Sequence, residues 1–179
     1  MKWKIYVCAL LLWSSSGKAQ ISVAQRLEGL PVEAAENVGE KQDWLLQPQE
    51  YRAGVYRSSD GKELILSNGL IRRVFRLTPN AATVGLDNLY SGEAFLRAVR
   101  PEALLQINGV EYKVGGLKGQ PNHAYLSADW LDDLRSDPLA LTLTDVEVVE
   151  VTERFPWKRV RHCAPDVQWP PKGIGIRMD

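Results

Sequence analysis

Few residues of this chain could do acid, base or nucleophilic chemistry, and they do not form a catalytic pattern. The two histidines are His123 and His162, and only His162 has a nucleophile beside it, Cys163. A triad of His162, Cys163 and an acid such as Asp166 is disfavoured, because adjacent residues of an extended chain point to opposite faces. We therefore predict no catalytic residue here and interpret His162 and Cys163 as loop residues.

A group of aspartates and a group of glycines also invite a chemical interpretation. Carboxylate oxygens bind calcium, but the acids lack the Asp-x-Asp-x-Asp-Gly order of a dedicated loop, so a solvated helix face is favoured. The glycines do not precede a helix at the spacing of a phosphate-binding loop, so we predict tight turns. No pair of the 22 acidic residues stands out as the acid and base of a glycosidase. We predict no metal and no cofactor. The aspartates in question are Asp129, Asp132, Asp133 and Asp137, and the glycines are Gly115, Gly116 and Gly119.

Tryptophan is the residue type that most favours a ligand, because sugar rings pack against aromatic faces. Trp44, Trp130, Trp157 and Trp169 lie beyond the N-terminal segment. Of these, Trp130, Trp157 and Trp169 are the candidate substrate-binding residues. The competing interpretation is that each anchors a core or a loop, which is the commoner role of tryptophan in an all-β domain.

The N-terminus predicts a secretory signal peptide over residues 1–19. Lys2 and Lys4 precede an apolar run at 5–13, and Gly17 and Ala19 supply the small residues of a cleavage site. The run has nine residues, whereas a membrane-spanning helix needs about 20. A buried N-terminal helix or strand is the alternative. We expect a mature protein that begins at Gln20 and is secreted or periplasmic.

The composition of the mature chain limits its partners. Cleavage removes three lysines and leaves 160 residues, with 19 basic against 22 acidic side chains and a net charge of −3. Without a basic excess, nucleic acid is not an expected partner. Cys163 would be the only cysteine, which excludes an intramolecular disulfide. We also expect no membrane span, and a length of 160 residues fits one domain.

Local patterns predict an all-β, antiparallel β-sandwich over residues 44–179, after a flexible leader over 20–43. Within the leader, residues 22–27 fit either a helical turn or a first strand. Three turn dipeptides, Asp60-Gly61, Asn68-Gly69 and Asn108-Gly109, lie between β-rich runs and indicate an antiparallel meander.

Three later segments complete this prediction. One short helix is expected near 127–135, with Trp130 on its apolar face. Residues 139–151 predict a long strand with a bulge near Asp145, where the apolar alternation changes phase. Residues 173–179 begin like a strand in which the chain stops, so we expect a sandwich that is truncated at its C-terminus.

Several strings resemble the N-terminal region of secreted bacterial α-galactosidase-like glycoside hydrolases, the melibiase group of family thirty-six and its relatives. They are LSNGLIRRVFRLTPNAAT at 66–83, LDNL at 86–89, LRAVRPEA at 96–103, GGLKGQP at 115–121 and FPW at 155–157. The resemblance covers residues 44–179. It implies a large two-sheet β-sandwich that precedes a (β/α)₈ barrel with catalytic aspartates on the barrel strands. No position here matches those motifs, so no catalytic residue is carried over.

Two main hypotheses follow. The first is a non-catalytic sandwich portion of such an enzyme, acting on carbohydrate through a barrel outside this chain, with oligomer contacts in the full-length enzyme. It predicts an exposed apolar face on the isolated chain. The second is a self-contained secreted carbohydrate-binding or adhesion module, and it requires residues 173–179 to pair as an edge strand. A secreted structural protein without a ligand is a third hypothesis.

Overall fold

The computed structural model describes residues 22–34, 43–47, 51–157 and 168–179. The predicted signal peptide, its cleavage site, and His162, Cys163 and Asp166 lie outside these ranges. The described elements are α1 (Val23–Glu28), β1 (Gly54–Arg57), β2 (Glu63–Ser67), β3 (Ile71–Arg76), β4 (Ala82–Asn88), β5 (Glu93–Ala94), β6 (Ala103–Ile107), β7 (Val110–Val114), β8 (Leu117–Lys118), the 3₁₀ helix Ala128–Asp133, β9 (Arg135–Ser136), β10 (Ala140–Leu141), β11 (Val146–Glu150) and β12 (Ile174–Met178).

The predicted all-β, sandwich-like class is confirmed. Strands β1 to β5 form an antiparallel sheet in sequential order, as a meander requires. The turns predicted at Asp60-Gly61 and Asn68-Gly69 join β1 to β2 and β2 to β3. The short helix predicted near 127–135 is the 3₁₀ helix Ala128–Asp133.

The third predicted hairpin is β6–β7, with Asn108 and Gly109 as its two-residue loop. Their φ angles are 51° and 80°, the positive values that a type I′ turn needs at both central positions. Five residue pairs, from Ile107↔Val110 to Ala103↔Val114, extend the hairpin. The meander pattern ends at this sheet, because β10 pairs with the other side of β7 and runs parallel to it.

The prediction of one long strand over 139–151 is wrong. The segment is divided between two sheets: β10 pairs with β7, whereas β11 pairs with β12 in an antiparallel hairpin. The change in apolar phase at Asp145 therefore marks a change of sheet, not a bulge. The junction is held by the carbonyl of Asp179, which accepts hydrogen bonds from the main-chain N–H of Thr144 at 2.7 Å and of Asp145 at 3.4 Å.

The final strand pairs along its whole length. All five residues of β12 face partners on β11, from Val146↔Met178 to Glu150↔Ile174. This pairing meets the condition that the binding-module hypothesis sets for residues 173–179.

Two apolar clusters cover the two faces of the five-stranded sheet. On one face, Leu64 and Phe75 pack against Val146 of β11 and against α1. On the other face, Ala82 and Val84 pack against Leu117, Leu134 and the partly buried Leu131, which belong to the later loops and the 3₁₀ helix. The sheet is therefore the central layer of the described structure.

The described part of the predicted leader is folded. Residues 23–28 form α1, so the helical alternative for this segment is the one observed. A capping box of Ser22 and Gln25 starts the helix, and Leu27 is buried in the first cluster. Arg26 then binds both carboxylate oxygens of Asp145, at 3.1 and 3.0 Å. Burial of one large side chain and this ion pair hold the segment on the sheet. Among the described residues, no helix is long and apolar enough to cross a membrane.

Candidate functional site

The β11–β12 hairpin brings two of the candidate tryptophans together. Glu150 and Ile174 are its last pair, so the chain segments that follow β11 and precede β12 leave the same end of the hairpin. Trp157 lies on the first segment and Trp169 on the second, and their ring centroids are 5.7 Å apart. Phe155 completes the group, 5.0 Å from Trp169. We call Phe155, Trp157 and Trp169 the aromatic cluster.

The aromatic cluster is partly open to solvent. Phe155 is 57% exposed and Trp157 39% exposed, whereas Trp169 is half-buried between them. The three rings are tilted against one another, with interplanar angles of 46° for Phe155–Trp169 and 34° for Trp157–Trp169. The Nε1 atom of Trp169 is buried and has no hydrogen-bond partner among the described residues. The cluster therefore offers aromatic surface of the kind that packs against a sugar ring, with Trp169 as its anchor.

Trp130 lies in a different place. It belongs to the 3₁₀ helix, and its ring pairs with Tyr125 at 5.0 Å with an interplanar angle of 38°. Trp130 is half-buried and Tyr125 is exposed. The structure thus brings together two of the three predicted residues and gives Trp130 a separate aromatic partner.

The four aspartates do not converge on one point. Asp132 binds Arg76 at 2.8 Å and Lys62 at 2.7 Å. Asp137 binds Lys113 at 3.1 Å and Lys118 at 2.9 Å. These basic partners hold the pKa of the Asp132 and Asp137 carboxyls at about 2, well below the ordinary value. Across the described part of the chain, no three His, Cys, Asp or Glu side chains come together as a metal site.

The glycine-rich loop lines a depression of about 580 Å³. Gln120 lies in its wall. The amide nitrogen of Gln120 is within hydrogen-bond distance of three main-chain carbonyls, and its side-chain oxygen accepts the N–H of Val99 at 2.9 Å. Lys113 and Lys118, at the same depression, are bound to Asp137. These polar groups therefore hold the loop in place, in agreement with the prediction of tight turns.

A more apolar feature of similar volume lies between the sheets. A groove of about 570 Å³ separates the five-stranded sheet from β7, β10 and β12. Arg73 lies at this groove, where it binds Glu102 and lies 4.6 Å from the centre of the Phe75 ring. We call this feature the inter-sheet groove, and its apolar lining consists of Leu66, Phe75, Ala81, Leu105, Val114, Leu141, Leu143, Ile176 and Met178.

Sequence reasoning missed two parts of this arrangement. Phe155 was not a candidate residue, although its position two residues before Trp157 was a local signal for a shared surface. The inter-sheet groove had no local signal, because its lining comes from strands that meet only through the sheet topology.

Comparison with known proteins gives no family assignment. No family model, no curated protein and no solved structure matches this chain.

Proposed function

We propose that this chain is the non-catalytic N-terminal β-sandwich portion of a secreted glycoside hydrolase of the α-galactosidase type. The observation that carries the proposal is the inter-sheet groove, which stays partly exposed in the described part of the chain. Its lining includes nine apolar side chains, and two of them, Leu105 and Leu141, are exposed. A contiguous apolar surface of this kind is uncommon on a free-standing domain and is typical of a surface that another domain covers.

The neighbouring sheet supports the same interpretation. In the β6–β7 hairpin, paired residues point to the same side, so Leu105, Ile107, Val110 and Tyr112 share one face. All four are exposed. This face continues the groove through Leu105, and the two together form one apolar surface, which supports a contact with another domain.

The coding sequence beyond the codon for Asp179 provides the first test. We expect an open frame that encodes a barrel-sized domain, and a full product that hydrolyses p-nitrophenyl α-D-galactopyranoside. The chain over 20–179 should have no such activity. A stop directly after Asp179, or a downstream frame without a barrel-length domain, would refute the proposal.

A second test examines the groove in the full product. Leu141→Asp places a charge on the apolar surface and should lower thermal stability and activity together. Leu139→Asp is the matched control, because Leu139 is 80% exposed and does not line the groove. Equal effects of the two substitutions would mean that the groove is not a domain contact.

The aromatic cluster favours a second candidate, a self-contained carbohydrate-binding module. Phe155 and Trp157 present exposed rings on a surface anchored by Trp169. This candidate predicts that soluble galactosides quench the tryptophan fluorescence of the isolated chain. Trp157→Ala should abolish the quenching, whereas Trp44→Ala, which removes an exposed tryptophan outside the cluster, should leave it intact. Quenching that survives Trp157→Ala would exclude the cluster as the sugar site.

A further inference from the structure

Strand β6 is the edge of its sheet. The strand order is β10-β7-β6, so within the described part of the chain β7 covers one side of β6 and no strand covers the other. Because Asn108-Gly109 is a two-residue loop, Ile107↔Val110 is a hydrogen-bonded pair and such pairs alternate along the hairpin. Leu104 and Gln106 therefore direct their N–H and C=O groups away from β7, toward the open edge.

This edge lacks the features that usually protect an open strand. Residues 103–107 contain no charged side chain and no proline, and all five are exposed. Leu104 is 61% exposed and Ile107 54% exposed. Natural edge strands are commonly blunted by lysine, proline or a bulge, and an unprotected apolar edge is a template for another strand. In contrast, the final strand β12 carries Arg177.

We propose that β6 pairs with β6 of a second copy of this chain, antiparallel, about a two-fold axis that passes through Leu105. In this register Leu104 faces Gln106 of the second copy, and Ala103 faces Ile107 of the second copy. The outward-facing residues, Leu104 and Gln106, then form the hydrogen-bonded pairs, and the two Leu105 side chains meet as the central non-hydrogen-bonded pair. The hydrogen-bonding pattern of the free edge is thus consistent with its own two-fold copy.

The side chains are consistent with the same symmetry. Leu105 and Ile107 lie on one face of each strand, together with Val110 and Tyr112 of β7. A two-fold axis perpendicular to the sheet keeps these faces on the same side, so the two copies form one continuous apolar face. Every pair in this register is neutral, and like charges are not opposed at any position. A second copy is therefore the occupant that matches both the edge and the face, independently of the proposed function.

The oligomeric state of the purified chain tests this proposal. We expect a concentration-dependent dimer in sedimentation velocity and light scattering. Leu105→Lys places two ammonium groups against each other at the axis and should raise the dissociation constant at least tenfold. Leu139→Lys introduces the same charge at an exposed position outside β6 and should leave the dimer unchanged.

A mixing experiment locates the axis and separates repulsion from misfolding. Leu105→Glu should also be monomeric, and an equal mixture of the Lys and Glu variants should form a heterodimer, because opposite charges then meet at the axis. A wild-type chain that stays monomeric at all concentrations would overturn the proposal. So would a Lys variant that dimerises as the wild type does, or a mixture that remains monomeric.

Discussion

Arg76, the last residue of β3, has an almost fully buried side chain. Its side chain is 9% exposed, and it binds Glu63 at 2.6 Å and Asp132 at 2.8 Å. Burial acts to lower the pKa of Arg76, but hydrogen bonds and attraction from Asp132 and Glu63 outweigh this effect and raise it above its ordinary value. Glu63 depends on this pair because its own side chain is nearly buried.

Arg76→Met is expected to destabilise the protein by about 3–5 kcal/mol, the usual cost of removing one partner from a buried ion pair. The reason is that the variant leaves the nearly buried Glu63 side chain without its partner. Chemical denaturation at neutral pH measures the change. Lys62→Met is the control, because Lys62 pairs with Asp132 at the surface, where an ion pair contributes little to stability.

The double variant Glu63→Gln/Arg76→Met checks the cause of this loss. Removing both charges should recover part of the stability, because the penalty comes mainly from the unpaired carboxylate. A double variant that loses the sum of the two single effects would show that packing of the Arg76 stem, and not its charge, accounts for the result.

Asp137 makes stability depend on acid pH. Lys118, the main-chain N–H of Leu139 and Lys113 lower its pKa from 3.8 to about 2 in the folded chain. As pH falls, the unfolded chain therefore binds a proton at Asp137 at a higher pH than the folded chain does. The contribution of Asp137 to stability is complete above about pH 4 and is lost as pH falls toward 2. Urea midpoints of wild type and Asp137→Asn should differ at pH 7 and converge near pH 2. A difference that stays constant over this range would contradict the pKa assignment.

Gly109 and Gly115 both have a positive φ angle, but they differ in the space around the missing Cβ. Gly109 has a φ of 80° in the β6–β7 turn, and open space surrounds the position of its missing Cβ. Gly115 has a φ of 60°, but a Cβ there would overlap the carbonyl oxygen of Ala81. The same carbonyl accepts the N–H of Gly116 at 2.7 Å, which fixes the close approach of the loop to the sheet.

This contrast predicts a difference between two identical substitutions. Gly109→Ala should cost about 1–2 kcal/mol, the backbone strain of an L-residue in the left-handed region. Gly115→Ala adds the overlap with Ala81 to this strain and should cost clearly more. Thermal unfolding of both variants measures the difference. Equal costs would mean that the loop moves away from Ala81 without loss of stability.

Sequence patterns predicted the elements that short segments specify. Asn108-Gly109 specifies its own turn, because both residues tolerate the positive φ angles that a type I′ turn requires, and the helix near 127–135 has a local apolar face. The division of residues 139–151 between two sheets had no such local cause. It depends on β7 and β12, and β12 lies more than twenty residues downstream.

The candidate site shows the same limit. Composition identified Trp157 and Trp169 as candidates, but their proximity is a result of the β11–β12 pairing. Their partner Phe155 and the inter-sheet groove required that pairing as well. Local sequence therefore indicated which residues could bind, whereas the topology determined which of them share a surface.

At the scale of the whole molecule, the inter-sheet groove is where Leu105 and Leu141 stay exposed within the described part of the chain. One face of the central sheet is covered by α1 and the β11–β12 hairpin, and the opposite face by the later loops. The groove lies on the first of these faces, next to the β11–β12 hairpin, and its exposed apolar side chains are Leu105 of β6 and Leu141 of β10. A native chain with this surface should bind an apolar dye without unfolding, because the surface is already exposed.

This property gives a test on the native chain. We expect the wild type to enhance the fluorescence of anilinonaphthalene sulfonate under conditions where its near-UV circular dichroism remains native. Leu141→Ser should weaken the enhancement because Leu141 lines the groove, whereas Leu139→Ser should not, although Leu139 is more exposed. Both leucines are largely outside the packed clusters, so neither substitution should unfold the chain. Equal dye binding by the two variants would place the apolar surface elsewhere and would remove the main support for a covering domain.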